Sequence, residues 1–509
     1  MKNVLEYLEY QEKSNSNKIA VVEEDKKCTY SELTNISKKI GSGLIRYVLP
    51  RNPVPILMEK GISALSTFFG AVYAGCFYVL LNPELPVTRL QKILEILDTN
   101  IIVTDERNKE LANEIITNQK ILQVEDLQKE EINEEKLKEI RNQTIDLDPL
   151  YANFTSGSTG IPKGVVIGHR STIDFIDVFT KEFEINADDV IANQAPFDFD
   201  VSVKDIYSTI KTGATLVIVP KKLFSMPAKL LDCICDNNVT TMIWAVSALC
   251  LITTFHGLDY KVPTKVNKII FSGEVMPLKH LKQWIKYLPN TKFINVYGPT
   301  EITCNCTYYI VDNKKEYETN IPIGKPFDNE QVFLLDENNK EITEPNISGE
   351  ICVRGTALAL GYYNNLEQTN DRFVQNPLNN KYKDLIYKTG DLGYFDENNL
   401  MYFSGRKDFQ IKHMGHRIEL EEIEMTMEKI DEIQRVCCIY KEEKSKLYGF
   451  YIGNISKEEL HEKLKNTLPI FMIPNILMKL DEFPMTKNGK IDRKQLRELT
   501  NPAKKEEHN

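Results

Sequence analysis

Six short apolar runs constrain this chain of 509 residues more than any other feature. They are Val54–Met58, Asn100–Asp105, Leu216–Val219, Thr241–Ala245, Lys268–Phe271 and Phe293–Tyr297. Each is too short for a helix and has an apolar centre, so each reads as a buried strand. Helix-like stretches alternate with them. One runs from Ile62 to Ala74 and ends at Gly75, and another covers Arg89–Leu97. Ser171-x-x-Asp174 offers a capping-box-like start to a third, with Ile176, Phe179 and Phe183 repeating on its core face. The polar stretch from about Glu125 to Arg141 reads as an exposed helical excursion. Strand–helix–strand alternation predicts an α/β chain with doubly wound, mostly parallel sheets. Ligands in such sheets sit beyond the carboxyl ends of the strands.

The length predicts two to four domains or subdomains. From about Ile310 to Ser404 the pattern changes to hairpins, with Val332–Leu335 against Gly349–Val353 and Gly393–Phe395 against Leu400–Phe403. Gly405-Arg406-Lys407-Asp408 punctuates the chain, and a small α+β unit follows with an amphipathic helix carrying Leu420, Ile423, Met427 and Ile430. The expected division is a large N-terminal domain over 1–405, its β-rich subdomain over 310–405, a hinge at 406–409 and a C-terminal α+β domain over 410–509.

A formal net charge of −10 argues against a nucleic-acid partner. Lys221-Lys222 and Lys314-Lys315 read as solvated pairs. No apolar run is long enough for a signal peptide or a membrane-spanning helix. Ten cysteines without a regular framework suggest reduced thiols in a cytoplasmic enzyme. Cys233-x-Cys235, Cys304-x-Cys306 and Cys437-Cys438 lack partners at zinc spacing and read as small core residues.

Between two apolar stretches lies Asn153-Phe154-Thr155-Ser156-Gly157-Ser158-Thr159-Gly160-Ile161-Pro162-Lys163-Gly164. Glycines let a backbone turn its N–H groups onto an anion, hydroxyls add donors, and Lys163 adds a positive charge. A polyphosphate is the natural ligand, and a flexible Gly/Ser linker is the alternative. A Walker A loop requires Gly-Lys-Ser/Thr, whereas Lys163 stands between Pro162 and Gly164.

The loop resembles the phosphate-binding loop of the adenylate-forming superfamily, which includes acyl-CoA synthetases, peptide-synthetase adenylation domains and luciferases. Further motifs follow in the family's order. They are Phe199-Asp200-Val201-Ser202, Asn295 to Glu301 (Asn-Val-Tyr-Gly-Pro-Thr-Glu), Gly349 to Gly355, and Tyr387-Lys388-Thr389-Gly390-Asp391-Leu392. Then come Gly405 to Lys412, Gly415-His416-Arg417-Ile418-Glu419, and Asn488-Gly489-Lys490-Ile491-Asp492-Arg493. The chain looks like a peptide-synthetase-type adenylation enzyme and, among stand-alone members, is similar to the D-alanine–D-alanyl carrier protein ligases.

The resemblance implies ATP-dependent formation of an aminoacyl-AMP with release of pyrophosphate, then thioester transfer to a carrier protein's phosphopantetheine. ATP and Mg2+ are the implied cofactors. Thr155, Ser156, Gly157, Ser158, Thr159, Gly160 and Lys163 would hold phosphates, Glu301 would ligate Mg2+, and Thr300 would bond phosphate. Gly273, Glu274, Asn295, Val296, Tyr297 and Gly298 would line the nucleotide site, with Tyr297 stacked on adenine and Asn295 bonded to its amino group. Asp391 would accept both ribose hydroxyls with help from Arg406. Lys490 would reach the carboxylate and α-phosphate for adenylation alone. Asp408 would be the hinge about which a mobile C-terminal domain turns, bringing Lys412–Arg417 toward the pantetheine thiol, with Gly415 leaving room for it.

By the same resemblance the acyl pocket contains Phe199, Asp200, Val201, Lys204, Trp244, Ile270, Ser272, Val296, Cys304 and Asn305. Asp200 matches the carboxylate that pairs with a substrate ammonium and so favours an amino acid. Trp244 would shorten the pocket. Ser272 stands where D-alanine ligases carry cysteine, and Lys204 replaces an apolar or aromatic residue. Four residues after Asp200, Lys204 can pair with Asp200, turn to solvent, or face a substrate acceptor. The expected protein is a monomer that loads a separate carrier. The alternatives are an acid–coenzyme A ligase, a D-alanine ligase for teichoic acid, and a non-catalytic nucleotide-binding scaffold.

Overall fold

The computed structural model describes residues 1–157, 161–407, 409–485 and 491–501. The expected Ser158, Thr159, Gly160, Asp408 and Lys490 lie outside them. Every one of the six apolar runs overlaps a strand. Five strands of a nine-stranded sheet run parallel in the order Lys292–Tyr297, Lys268–Ser272, Thr241–Ala245, Val190–Asn193, Thr215–Ile218. Ile19–Glu23 continues this parallel set. A seven-stranded sheet carries Phe77–Leu81, Pro53–Leu57, Ile101–Thr104 and Lys120–Gln123, again parallel. Helices cover these sheets, as continuous apolar strands require.

One apolar core includes Ile243, Ile270, Ile294 and Val296 from one face of the nine-stranded sheet. The opposite face supplies Met242, Trp244, Ile269 and Phe271 to a second core. Period-two alternation sorts the residues in this way.

Some local expectations are corrected. Ser171 does not begin a helix: the helix spans His169–Glu182, its N-cap Gly168 makes no side-chain cap, and Ser171 donates to the Leu358 carbonyl. True capping boxes stand at Thr29/Glu32 and Ser456/Glu459. The β-rich region also begins later than residue 310. Thr307–Ile310 and Lys325–Pro326 close the edge of the nine-stranded sheet, and the six-stranded antiparallel sheet is built from Glu330–Leu335, Gly349–Gly355, Leu385–Phe395 and their neighbours. Gly361–Tyr362 pairs with Val165–Val166 of the seven-stranded sheet.

Two compact units emerge. One comprises Met1–Pro83, Leu94–Phe154 and Gly164–Lys407, and the other Glu84–Ile93, Thr155–Lys163 and Asp408–Asn509. In the second unit, Ile433–Lys441 and Lys446–Gly453 pair antiparallel and Ile476–Lys479 adds in parallel. The helix Leu420–Glu428 buries Leu420, Ile423 and Met427. The hairpin Gln410–His413/His416–Glu419 turns on Met414 and Gly415, both at positive φ (53° and 81°). A two-residue turn with left-handed backbone at both positions favours glycine, so this turn gives Gly415 a structural reason of its own.

Among the described residues no helix is long and apolar enough to cross a membrane, and no His, Cys, Asp and Glu cluster is placed to hold a metal. All ten cysteines are free thiols.

Candidate active site

Asp200 is the N-cap residue of the helix Val201–Thr212, which starts just past the carboxyl end of the strand Val190–Asn193. Its carbonyl accepts a hydrogen bond from the Cys304 thiol at 3.0 Å. Phe199 and Val201 flank it, and the Phe199 carbonyl is fixed by Ser202 Oγ at 2.7 Å. One helical turn after Asp200, Lys204 is wholly buried and points inward, so the solvent-facing alternative falls. Its Nζ donates to Asn305 Oδ1 at 2.7 Å and Ser272 Oγ at 3.4 Å. Burial pushes its ammonium pKa down, while Cys304, Asp200 and Asp205 act to raise it.

Ile270 and Ser272 lie on the same face of one strand, and Val296 joins Ile270 in the same core. Trp244 is corrected. Its ring lies in the core on the other side of the sheet, packed against Phe224, and its indole N–H donates to the Ala192 carbonyl at 2.9 Å. Ile243, paired in register with Ile270, is the residue of that strand on the Lys204 side. Alternating pattern shared with Ile270 was the available signal.

Behind this helix, Lys60 donates to Asn193 Oδ1 at 3.0 Å and the Gln194 carbonyl at 2.9 Å, and Asn193 Nδ2 donates to Asp205 Oδ2 at 2.6 Å. Burial lowers the Lys60 ammonium to about 7 and raises the Asp205 carboxyl to about 8. Sequence reading missed Lys60. Its signal was position, just past the carboxyl end of the strand Pro53–Leu57.

The motif strand Lys292–Tyr297 leads to the second part of the site. The Tyr297 hydroxyl donates to Asp391 Oδ2 at 2.5 Å, and Arg406 pairs with Oδ1 of the same carboxylate. Burial, followed by the Asp391 charge, raises the Tyr297 phenol well above its ordinary value. Asn295 Nδ2 donates to the Pro322 carbonyl at 2.8 Å, and Gly273 and Glu274 follow the neighbouring strand in a turn where Gly273 has φ 95°. Past Gly298, the short helical turn Thr300–Ile302 presents half-buried Thr300 and fully buried Glu301. Glu301 Oε1 accepts from the Tyr362 hydroxyl at 2.8 Å, a partner that nothing in the sequence marked. Thr303 and Cys304 both take left-handed backbone (φ 50° and 78°), and Thr303 Oγ1 is tied to the Ala357 carbonyl at 2.7 Å. Strain of this kind persists where surrounding structure enforces it and gathers at functional sites.

In the second unit, Ser156 Oγ donates to the Arg417 carbonyl at 2.8 Å, and Lys163 lies 3.7 Å from Glu419. Arg417 Nε donates to Gln410 Oε1 at 2.7 Å, and half-buried Lys412 is paired in register with Arg417. A Cβ at Gly157 would stand 2.0 Å from the Ile161 carbonyl oxygen, so this loop path admits only glycine there. The Thr155 hydroxyl is buried and has no hydrogen-bond partner among the described residues. An orphan donor at the head of a glycine-bearing loop is what a bound phosphate oxygen would satisfy.

Residues 8–363 match the model of the AMP-binding enzyme family. The chain is 33% identical over 492 residues to zwittermicin A synthase ZmaJ of Bacillus cereus, covering 94% of this chain and 91% of that protein. It is 29% identical over 504 residues to surfactin synthase subunit 1 of Bacillus subtilis (strain 168), spanning 97% of this chain but only 14% of that subunit. Its fold is similar, with a TM-score of 0.84 at 22% identity and 98% coverage of both chains, to the Vibrio cholerae adenylation domain AlmE, solved with glycyl-adenosine-5'-phosphate. The motif order, the length-wide likeness and the matched span agree, and the chain belongs to the AMP-binding enzyme family as an adenylate-forming ligase of the peptide-synthetase type.

Proposed function

We propose that this enzyme activates an α-amino acid as its aminoacyl-AMP and passes the acyl group to the phosphopantetheine thiol of a carrier protein. The observation that carries the amino-acid part is Asp200 at the N-cap of Val201–Thr212, where the family pairs a carboxylate with a substrate ammonium. An acyl pocket for simple acids needs no such anion, because burying a charge demands a counter-charge. The coenzyme A ligase and teichoic-acid D-alanylation readings are not favoured, and the peptide-synthase relatives support a carrier-protein acceptor.

In the first half-reaction the substrate carboxylate oxygen bonds to the α-phosphorus of ATP and pyrophosphate leaves. Thr155, Ser156, Gly157 and Lys163 are the described residues suited to bind the polyphosphate, and Lys163 offsets its charge. Glu301 is a hard oxygen donor of the kind that binds Mg2+ alongside phosphate oxygens, and the Tyr362 hydroxyl fixes its carboxylate. The ion would supply charge stabilisation to the leaving phosphates. Asp391, held by Tyr297 and Arg406, orients toward ribose with its remaining lone pairs. In the second half-reaction the thiol sulfur attacks the acyl carbon, a thioester forms and AMP leaves.

The test is amino-acid-dependent exchange of labelled pyrophosphate into ATP across L- and D-amino acids and simple carboxylic acids, followed by loading of a phosphopantetheinylated carrier. Exchange with an amino acid is the expected result. Exchange with acids that lack an amino group, and none with amino acids, overturns the assignment of Asp200.

A further inference from the structure

The side chain of Lys204 ends on the buried surface between the helix Val201–Thr212, the end of the strand Lys268–Ser272 and the turn holding Asn305. Among the described residues, its hydrogen-bond partners are neutral oxygens, Asn305 Oδ1 and Ser272 Oγ. An ammonium carries three donors and no acceptor, so one N–H remains for a ligand. An ion removed from water onto neutral partners alone costs several kcal/mol, which a counter-charge offsets.

Among the described residues, neither Asp200 nor Asp205 is a hydrogen-bond partner of this ammonium, although the charge of each favours it. Asp205 turns Oδ2 to Asn193, and burial pushes its carboxyl up, which weakens it as a counter-charge. Asp200 is the group assigned to the substrate ammonium. The two charged residues, four apart on one helix, stand about 6 Å apart at their Cβ atoms. They form a pair of opposite charges that a molecule with an ammonium and a distal carboxylate can bridge. Ile243, Ile270 and Val296 on the same side of the sheet suit the short alkyl stem between them.

We propose that Lys204 determines specificity and that the amino acid activated carries a second carboxylate at the end of its side chain, as aspartate and glutamate do. The inference rests on the amino-acid-activating function. Asn305 and Ser272 position the ammonium, and the substrate carboxylate completes its shell.

The experiment is pyrophosphate exchange by the full chain with aspartate, glutamate, asparagine, glutamine, alanine and leucine, each as both enantiomers, and with succinate and glutarate. Wild type is expected to prefer an acidic amino acid over its amide by at least about 30-fold in kcat/KM. Lys204→Met should lose the acid by a similar factor and abolish the discrimination. Asn305→Asp places a counter-charge beside the ammonium and should move the preference from the acid to its amide, which keeps the test decisive if Lys204→Met does not fold. A neutral amino acid as the best wild-type substrate overturns the inference and leaves amino-acid activation intact. So does an acid preference that survives both substitutions. Exchange with succinate or glutarate, and with no amino acid, strikes the underlying function instead.

Discussion

The Tyr297 hydroxyl donates to Oδ2 of Asp391 at 2.5 Å while Arg406 pairs with the other oxygen, so one buried carboxylate holds the ring proposed to meet adenine. Tyr297→Phe keeps the ring and removes this charge-assisted bond, which should raise KM for ATP about tenfold. Asp391→Asn also removes the Asp391 charge from beside the Arg406 guanidinium, so a larger loss is expected. KM for ATP in the exchange assay decides the order; equal KM values in wild type and Tyr297→Phe would remove the link.

Glu301 and Tyr362 bear on magnesium. If the phenol orients the proposed metal carboxylate, Tyr362→Phe should raise the Mg2+ concentration for half-maximal exchange about tenfold, with activity restored at high Mg2+. Glu301→Gln should shift it further. An unchanged Mg2+ titration in both variants would assign Glu301 a packing role.

Lys490 lies outside the described residues, yet its expected role separates the half-reactions. Lys490→Ala should abolish aminoacyl-AMP formation and leave thioester transfer from a preformed adenylate. Loss of both steps, or of neither, contradicts that role.

Trp244 and Ile243 provide a paired test of the sheet's two faces. Trp244→Leu should cost about 3 kcal/mol of stability, as large-to-small changes in a core do, with the ranking of amino acids unchanged. Ile243→Ala should alter that ranking. Thermal unfolding and the exchange panel measure the two effects.

His169 supplies a pH dependence. Its imidazole is buried, and Nδ1 accepts from the Val4 N–H at 3.4 Å, which requires that nitrogen to be unprotonated. Burial first, then Arg141, lowers its pKa to about 3 from 6.5. The unfolded chain therefore binds the extra proton between those values. This contribution to stability is complete above pH 6.5 and falls as pH drops toward 3, by about 1.4 kcal/mol per unit. Denaturant unfolding of His169→Gln should lack that component of the acid slope.

Neighbouring residues alone mark six strands of the two large sheets, their mostly parallel type and the order of the nucleotide motifs. Continuous apolar runs such as Ile269–Phe271 and glycine-bearing turns are local signals, readable from neighbouring residues. Tertiary structure alone decided which face of a strand meets which space. Trp244 and Ile243 are adjacent in sequence, but the pleat sends one to the second core and the other toward Lys204. The inward turn of Lys204 depends on Ser272 and Asn305, which lie 68 and 101 residues away in the chain. Lys60 and Tyr362 were likewise silent, because what marks each is a partner brought by folding: Asn193 for Lys60 and Glu301 for Tyr362. A buried ion is given meaning by the groups packed around it, and that packing is a property of the assembled fold.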